Sequence, residues 1–224
     1  SFFETGGKGV HKYWVDCDKR IAYIATEAEG FHEAIFMAVD FSVPEVPREV
    51  SRWWIPSQHL EGGEKPDWDT GRLSYRLHHP VVLRDRAYLG YWDAGYVILD
   101  ISDLEHPKLM SRRSYTPSYG GAFHTTLPID RKIGGRDWLV VFQESLRLFN
   151  QEGLKLMWMV DITEEDNPVS VSTFGVPTKG FDLEAGRFGP HQPHEGLNAT
   201  DDLIFASWFS GGLRVVSIED PFRP

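Results

Sequence analysis

The chain has 224 residues, a formal net charge of −10 at pH 7, 41% hydrophobic residues and 25% charged residues. So acidic a domain repels a phosphate backbone, which argues against nucleic acid as a partner. No stretch approaches the roughly 18 uninterrupted apolar residues of a membrane span. With 21 Gly, 14 Pro, 8 Trp, 8 Tyr and 14 Phe, the composition is that of a turn-rich globular domain and not of a disordered chain.

The opening SFFETGGKGVHKYW has no basic stretch followed by an apolar core, so no signal peptide is read there; a leader removed before Ser1 is compatible with the missing initial Met. Cys17 stands alone and allows no intrachain disulfide. A soluble protein of the cytoplasm or periplasm fits these features.

Taken in chain order, residues 1–7 read as the outer strand of a preceding or closing unit, because Ser1 resembles Ser51, Ser111 and Ser172, each four residues after a repeated Pro. A first unit, 8–56, contains His11 at the start of one strand, a strong strand over Ile21–Thr26, the sequence AVDFSVPEVP and a last strand over Arg48–Ile55. A long insertion, His59–Ser74, follows. The second unit, 75–117, carries His78, a strand over Ala87–Trp92, ILDISDLEHP and a strand over Lys108–Tyr115. The third, 121–177, carries His124, a strand over Trp138–Gln143, MVDITEEDNP and a strand over Val169–Val176. After a second insertion, Phe181–Gly189, the fourth unit, 188–224, carries His191, a strand over Leu203–Trp208 and VVSIEDPFRP.

The repeat is anchored by Asp40, Asp100, Asp161 and Ser217, each seven residues before a Pro and spaced 60, 61 and 56 residues apart. Apolar strands run into an Asp, and Ser/Thr, acidic residues and Pro make the turn that follows. Four short strands per unit at a period of roughly 40–60 residues predict an all-β fold, a β-propeller with four blade repeats of four antiparallel strands. The alternative, a β-sandwich with coincidental Asp-Pro turns, does not account for four identical offsets. Four blades close a small ring, or form part of a larger one of six or seven blades; the latter is preferred. The missing blades would then come from the same gene product or from another chain.

His11, His78, His124 and His191 share one place in the repeat, the start of the first strand. In a propeller that strand lines the central channel, so the four positions converge on one axis. Imidazole ligates Zn, Cu, Fe and Ni, and the expected cofactor is a divalent transition metal (Fe, Cu, Mn, Zn or Ni). A solitary His at a strand start is more often a hydrogen-bonded turn residue; four in register favour a metal. His79 competes with His78, and alternation along a strand would send only one inward; His78 is preferred because Pro80 then stands in an HxP pattern. Glu27, Asp93 and Glu144 end second strands and are expected to orient the ligands or carry protons. His194 and Glu195 are candidates for an extra ligand or an acid–base pair. His32, His59 and His106 read as solvated loop residues. The two insertions precede channel histidines and read as lids or tolerated surface loops. Gly6-Gly7, Gly120-Gly121 and Gly211-Gly212 are turn glycines without a following helix, and no GxSxG elbow is present.

YLGYWDAGYVILDISDLEHPKLMSR resembles the LVIVD-repeat β-propeller family, and the LHHP, FHTTLP and FGPHQPH segments resemble its longer bacterial members. The resemblance spans the chain and implies a propeller, with Ser217 departing from the usual Asp. In layout the chain is more distantly similar to propellers with axial histidines around a metal, the carotenoid-cleaving oxygenases and the selenium-binding, methanethiol-oxidising proteins. Two functions follow as expectations. The first is a metalloenzyme that oxidises or oxygenates a small organic molecule, with hydrolase or lyase chemistry as its variant. The second is a non-catalytic propeller that presents a rim to a protein or surface.

Overall fold

The computed structural model describes residues 2–116, 118–184, 186–196 and 202–224. Ser1, assigned above to an outer strand, lies outside the described residues. Residues 2–5 form no strand, and Gly6 and Gly7 open β1, where Gly6 pairs with Ala28 because the second strand runs on far enough to receive it.

The fold is a β-propeller. Blade 1 is β1 (Gly6–Asp16), β2 (Ile21–Ala28), β3 (Ala34–Asp40) and β4 (Arg48–Trp53). Blade 2 is β5 (His79–Leu83), β6 (Arg86–Tyr91), β7 (Gly95–Asp100) and β8 (Lys108–Arg113). Blade 3 is β9 (Phe123–Pro128), β10 (Trp138–Gln143), β11 (Met157–Asp161) and β12 (Val169–Phe174), with the single turn of α1 (Phe149–Glu152) between β10 and β11. Blade 4 contributes β13 (Leu203–Ser207) and β14 (Leu213–Ser217), and its innermost position is held by the bridge Pro193–Ala206. All pairings are antiparallel between chain neighbours. Among the described residues, no helix is long and apolar enough to cross a membrane.

The Asp of each repeat acts through its side chain. Oδ1 accepts the N–H two residues on, from Ser42 to Asp40 at 2.7 Å, from Ser102 to Asp100 at 2.9 Å and from Thr163 to Asp161 at 2.9 Å. This turn needs a short side-chain acceptor, which is why Asp recurs there. The Ser42 amide, helped by Arg48, holds the Asp40 carboxyl down to about 2. In blade 4 the Ser217 hydroxyl accepts from the Glu219 amide at 3.3 Å, a longer and uncharged version.

The β4, β8 and β12 strands repeat a further detail. Each begins directly after the Pro, so Ser51, Ser111 and Ser172 lie within the strand and do not open it; a one-residue register shift against the third strand precedes each of them.

The middle strands of blades 2 and 3 are apolar on both faces because each of these blades packs between two neighbours. Along β6, Ala87, Leu89 and Tyr91 join Tyr23, Phe36 and Ala38 of blade 1, while Tyr88 turns to Leu139, Val141 and Trp158 of blade 3. Trp138, Val140 and Phe142 of β10 then pack with Ile204, Ala206 and Trp208 of blade 4. Full burial of each large apolar side chain contributes about 1.5–3 kcal/mol. Gly90 permits close inner packing: a Cβ there would lie 2.5 Å from the carbonyl oxygen of His124. Tyr13 and Val15 on β1, and Phe205, Leu213 and Val215 on β13 and β14, are exposed apolar side chains.

Candidate metal centre

The four in-register histidines all sit where the innermost chain carries one residue too many. In β1, Val10 pairs with Thr26 and Lys12 with Ala25, leaving His11 without a partner. In β5, Gly90 pairs with His79 yet also accepts the His78 N–H at 2.7 Å. In β9, Thr125 pairs with Phe142 and Phe123 with Gln143, leaving His124 over. In blade 4, Ser207 accepts from the His191 N–H and donates to the Gln192 carbonyl, both at 3.0 Å. Such two-against-one bulges break the pleat and re-aim side chains. Strict alternation therefore fails at β5: His78 and His79 are both buried, and neither displaces the other.

The rings form a continuous arc. Centroid separations are 4.4 Å from His11 to His78, 3.9 Å from His78 to His124 and 4.5 Å from His124 to His191. The Nε2 atoms of His11 and His78 lie 2.8 Å apart. Burial is the main cause that lowers all four imidazole pKa values, with His78 pushed down to about 2. The rings are therefore neutral at pH 7 and keep a lone pair each.

Donor atoms of His78, His124 and Glu144, all buried, lie within 4.8 Å of one another. Two nitrogens bound to one ion at about 2.1 Å stand about 3.0–3.4 Å apart between square and tetrahedral angles. A modest contraction brings this set to such distances. The Nδ1 of His78 is buried without a hydrogen-bond partner, an orphaned atom of the kind a ligand would explain. Two imidazoles and a carboxylate with open positions are a donor set for Fe(II) and also for Zn. The residues present therefore fit a divalent transition metal.

A chain of polar contacts fixes the tautomer of His124. Its Nδ1 lies 2.7 Å from the Thr125 hydroxyl, which lies 3.3 Å from His79 Nδ1; His79 Nε2 lies 3.5 Å from Glu195 Oε1. Burial, with Lys12 next, pushes His79 down to about 3, so the ring is neutral. A carboxylate only accepts. His79 therefore carries its proton on Nε2 toward Glu195 and accepts at Nδ1 from the Thr125 hydroxyl. That hydroxyl accepts from the Nδ1–H of His124, and His124 is left with a bare Nε2.

Glu144 leaves the end of β10 and is held from the other side. Arg187 donates to its Oε1 at 3.1 Å and to the Ser145 carbonyl at 3.1 Å, and His191 Nε2 lies 3.7 Å from the same carboxylate oxygen. Burial raises the Glu144 pKa and Arg187 opposes that rise. The Arg187 guanidinium also lies over Phe209 at 3.9 Å, and Phe209 stacks on His191 at 4.7 Å. The second insertion thus borders the cluster through Arg187.

Other expected site residues lie apart. Glu27 pairs with Lys8 at 3.3 Å. Asp93 accepts the Ser74 N–H at 2.9 Å and ties the first insertion to blade 2; burial raises its pKa. His194 accepts the Phe205 N–H at Nδ1 and leans on the Phe205 ring, so it forms no pair with Glu195. Glu195 instead accepts from Gln192, which accepts from Lys12 at 3.0 Å. His59, expected to be solvated, is half-buried and stacks on Phe31 at 4.5 Å, whereas His106 is exposed beside Asp103. Cys17 is exposed. Alternation turned His79 away from the axis in the sequence reading, which did not single out Thr125 or Arg187. A polar Thr pair inside the otherwise apolar FHTTLP strand was the available signal for Thr125; nothing local marks Arg187.

Residues 81–114, from β5 through β8, match the LVIVD repeat. No curated protein matches the chain by sequence. Among solved structures, the chain is similar to the Pseudomonas aeruginosa periplasmic gluconolactonase, with 14% identity and a TM-score of 0.57 over 96% of this chain and 58% of that one. It is also similar to a Lactobacillus plantarum protein, with 10% identity and a TM-score of 0.55 over 93% of this chain and 55% of that one. The chain spans under two thirds of either neighbour's length, and likeness at such identity carries the propeller fold alone.

Proposed function

We propose that this propeller is a metal-dependent enzyme that oxidises or oxygenates a small organic molecule, with a divalent transition metal (Fe, Cu, Mn or Zn) held by His78, His124 and Glu144 and flanked by His11 and His191. The observation that carries the reading is the convergence of buried, neutral imidazoles from separate blades on one buried carboxylate. A metal bound there supplies a Lewis acid and, with Fe or Cu, a redox centre.

The chain's own residues have separable tasks. Thr125, His79 and Glu195 orient His124 with its Nε2 bare. Arg187 opposes the rise that burial gives the Glu144 pKa and fixes its rotamer. Trp92 and Phe209, each stacked on an axial imidazole, restrict water and wall an apolar space for the substrate. Asp93, Glu27 and His194 are left to shape the rim.

Hydrolysis is the second reading. The same donor set serves Zn hydrolases, and the similar Pseudomonas aeruginosa propeller is a gluconolactonase. Metal identity bears on the choice: Zn has no redox chemistry of its own and would favour hydrolysis, whereas Fe or Cu would favour oxidation. We also take the four blades as part of a six- or seven-bladed ring, completed by the same gene product or another chain; the exposed apolar residues of β1, β13 and β14 support this.

The test is metal analysis of the purified native protein beside His124→Ala. Near-stoichiometric metal that falls sharply in the variant is expected. A native protein that stays metal-free after reconstitution with Fe, Cu, Mn and Zn would overturn the reading and favour a rim that only binds a protein partner.

A further inference from the structure

The position two residues before each axial histidine is Gly9, Arg76, Ala122 and Gly189. Three blades are small there, and a Cβ built on Gly9 meets nothing within 4 Å. Blade 2 alone places a long cation. The Arg76 guanidinium lies over the Trp92 ring at 5.1 Å, and Trp92 stacks against His78 at 6.1 Å. Its Nε is buried without a hydrogen-bond partner, as are Trp92 Nε1 and His78 Nδ1 beside it. No hydrogen bond or ion pair holds this guanidinium among the described residues. Its charge reaches the cluster, since it helps to lower the His11 and His78 pKa values and acts on Glu144.

Neighbouring cations are engaged: Arg187 by Glu144, Lys12 by Gln192, and Lys155 by the Gly121 carbonyl at 3.3 Å. A partly buried guanidinium without a counter-ion is costly, and its planar fork matches a carboxylate. A single guanidinium at this position, in a chain of net charge −10, suits a single negative charge better than a phosphate.

We propose that Arg76 is the anchor for a carboxylate group of the substrate, with Trp92 as the apolar wall beside it. This deepens the reading of the axial site and is tested apart from the metal. The experiment is calorimetric titration of the chelator-stripped full chain with benzoate, its neutral counterpart benzamide, and inorganic phosphate. Wild type is expected to bind benzoate at least tenfold more tightly than benzamide or phosphate. Arg76→Met is expected to lose that advantage, and Arg76→Lys to keep part of it.

Equal affinity for benzoate and benzamide in the wild type overturns the anchor, whatever the variants do. Equal affinity for phosphate and benzoate overturns the carboxylate assignment. Arg76→Met that binds benzoate as wild type does also overturns it. Metal content of the wild type before stripping and after reconstitution is a separate readout: its absence from both sinks the metal centre and leaves the benzoate result standing.

Discussion

The Nε2 atoms of His11 and His78 lie 2.8 Å apart, so one neutral imidazole donates to the other across the boundary between blades 1 and 2. His78 is buried, whereas His11 is exposed at the end of the arc. The two are therefore unequal partners for a metal. His78→Ala and His124→Ala are expected to abolish stoichiometric metal, and His11→Ala to retain it with about 10–100-fold weaker affinity, the size of effect typical of residues behind a ligand. Competition titration with a chromogenic chelator measures this order. Equal losses in all three variants would sink it.

Thr125 connects two histidines through one hydroxyl. Thr125→Val removes the group that fixes the His124 tautomer, and a fall of about 10–100-fold in metal affinity is expected. Thr125→Ser keeps the hydroxyl and is expected to stay within about threefold of the wild type. Valine and serine variants with the same affinity would show that the hydroxyl positions nothing.

The axial cluster also sets a pH dependence. Burial holds His78 at about 2 and His79 at about 3, while both titrate near 6.5 in the unfolded chain. Below pH 6.5 the unfolded chain takes protons that the folded chain refuses, so metal-free stability falls as pH drops from 6.5 toward about 3. Above pH 6.5 these groups contribute no slope. The loss approaches about 1.4 kcal/mol per pH unit for each imidazole. Urea midpoints at pH 7.5, 6 and 5 in chelator should decline, and less steeply in His78→Gln. A midpoint constant from pH 7.5 to 5 would contradict the burial of neutral rings.

Blade 4 carries the weakest version of the repeated turn, with Ser217 in place of Asp. Ser217→Asp supplies a charged acceptor for the Glu219 amide and is expected to stabilise the chain by about 0.5–1 kcal/mol. Asp100→Ser should destabilise blade 2 by a similar amount. Thermal unfolding of the two variants checks both signs, and a drop in midpoint for Ser217→Asp would refute the turn argument.

The turn was legible because it is local: an accepting side chain, Asp in three units and Ser217 in the fourth, stands two residues before the amide that donates to it. The second strand of blade 3 was bounded correctly over Trp138–Gln143 for a similar reason, as an apolar run bracketed by polar turns. The axial register of His11, His78, His124 and His191 was legible because a repeat converts equal position into shared location. His79 was not, because alternation predicts the opposite face and only the pairing with Gly90 reveals the bulge. Arg187 and Arg76 were invisible for another reason. Their roles depend on which distant side chains meet them, Glu144 across 43 residues in one case and the Trp92 ring, without a hydrogen bond, in the other.

The bulges separate the site from the scaffold in the currency of inheritance. His11 and His124 each occupy an extra residue within a strand, and His78 and His191 an extra residue beside the paired inner chain. Deleting one codon there would restore an ordinary strand, keep the blade packed and swing the imidazole off the axis. Inserting one codon would do the reverse. A propeller of this kind can thus acquire or shed an inward-facing residue blade by blade, without passing through an unfolded ancestor.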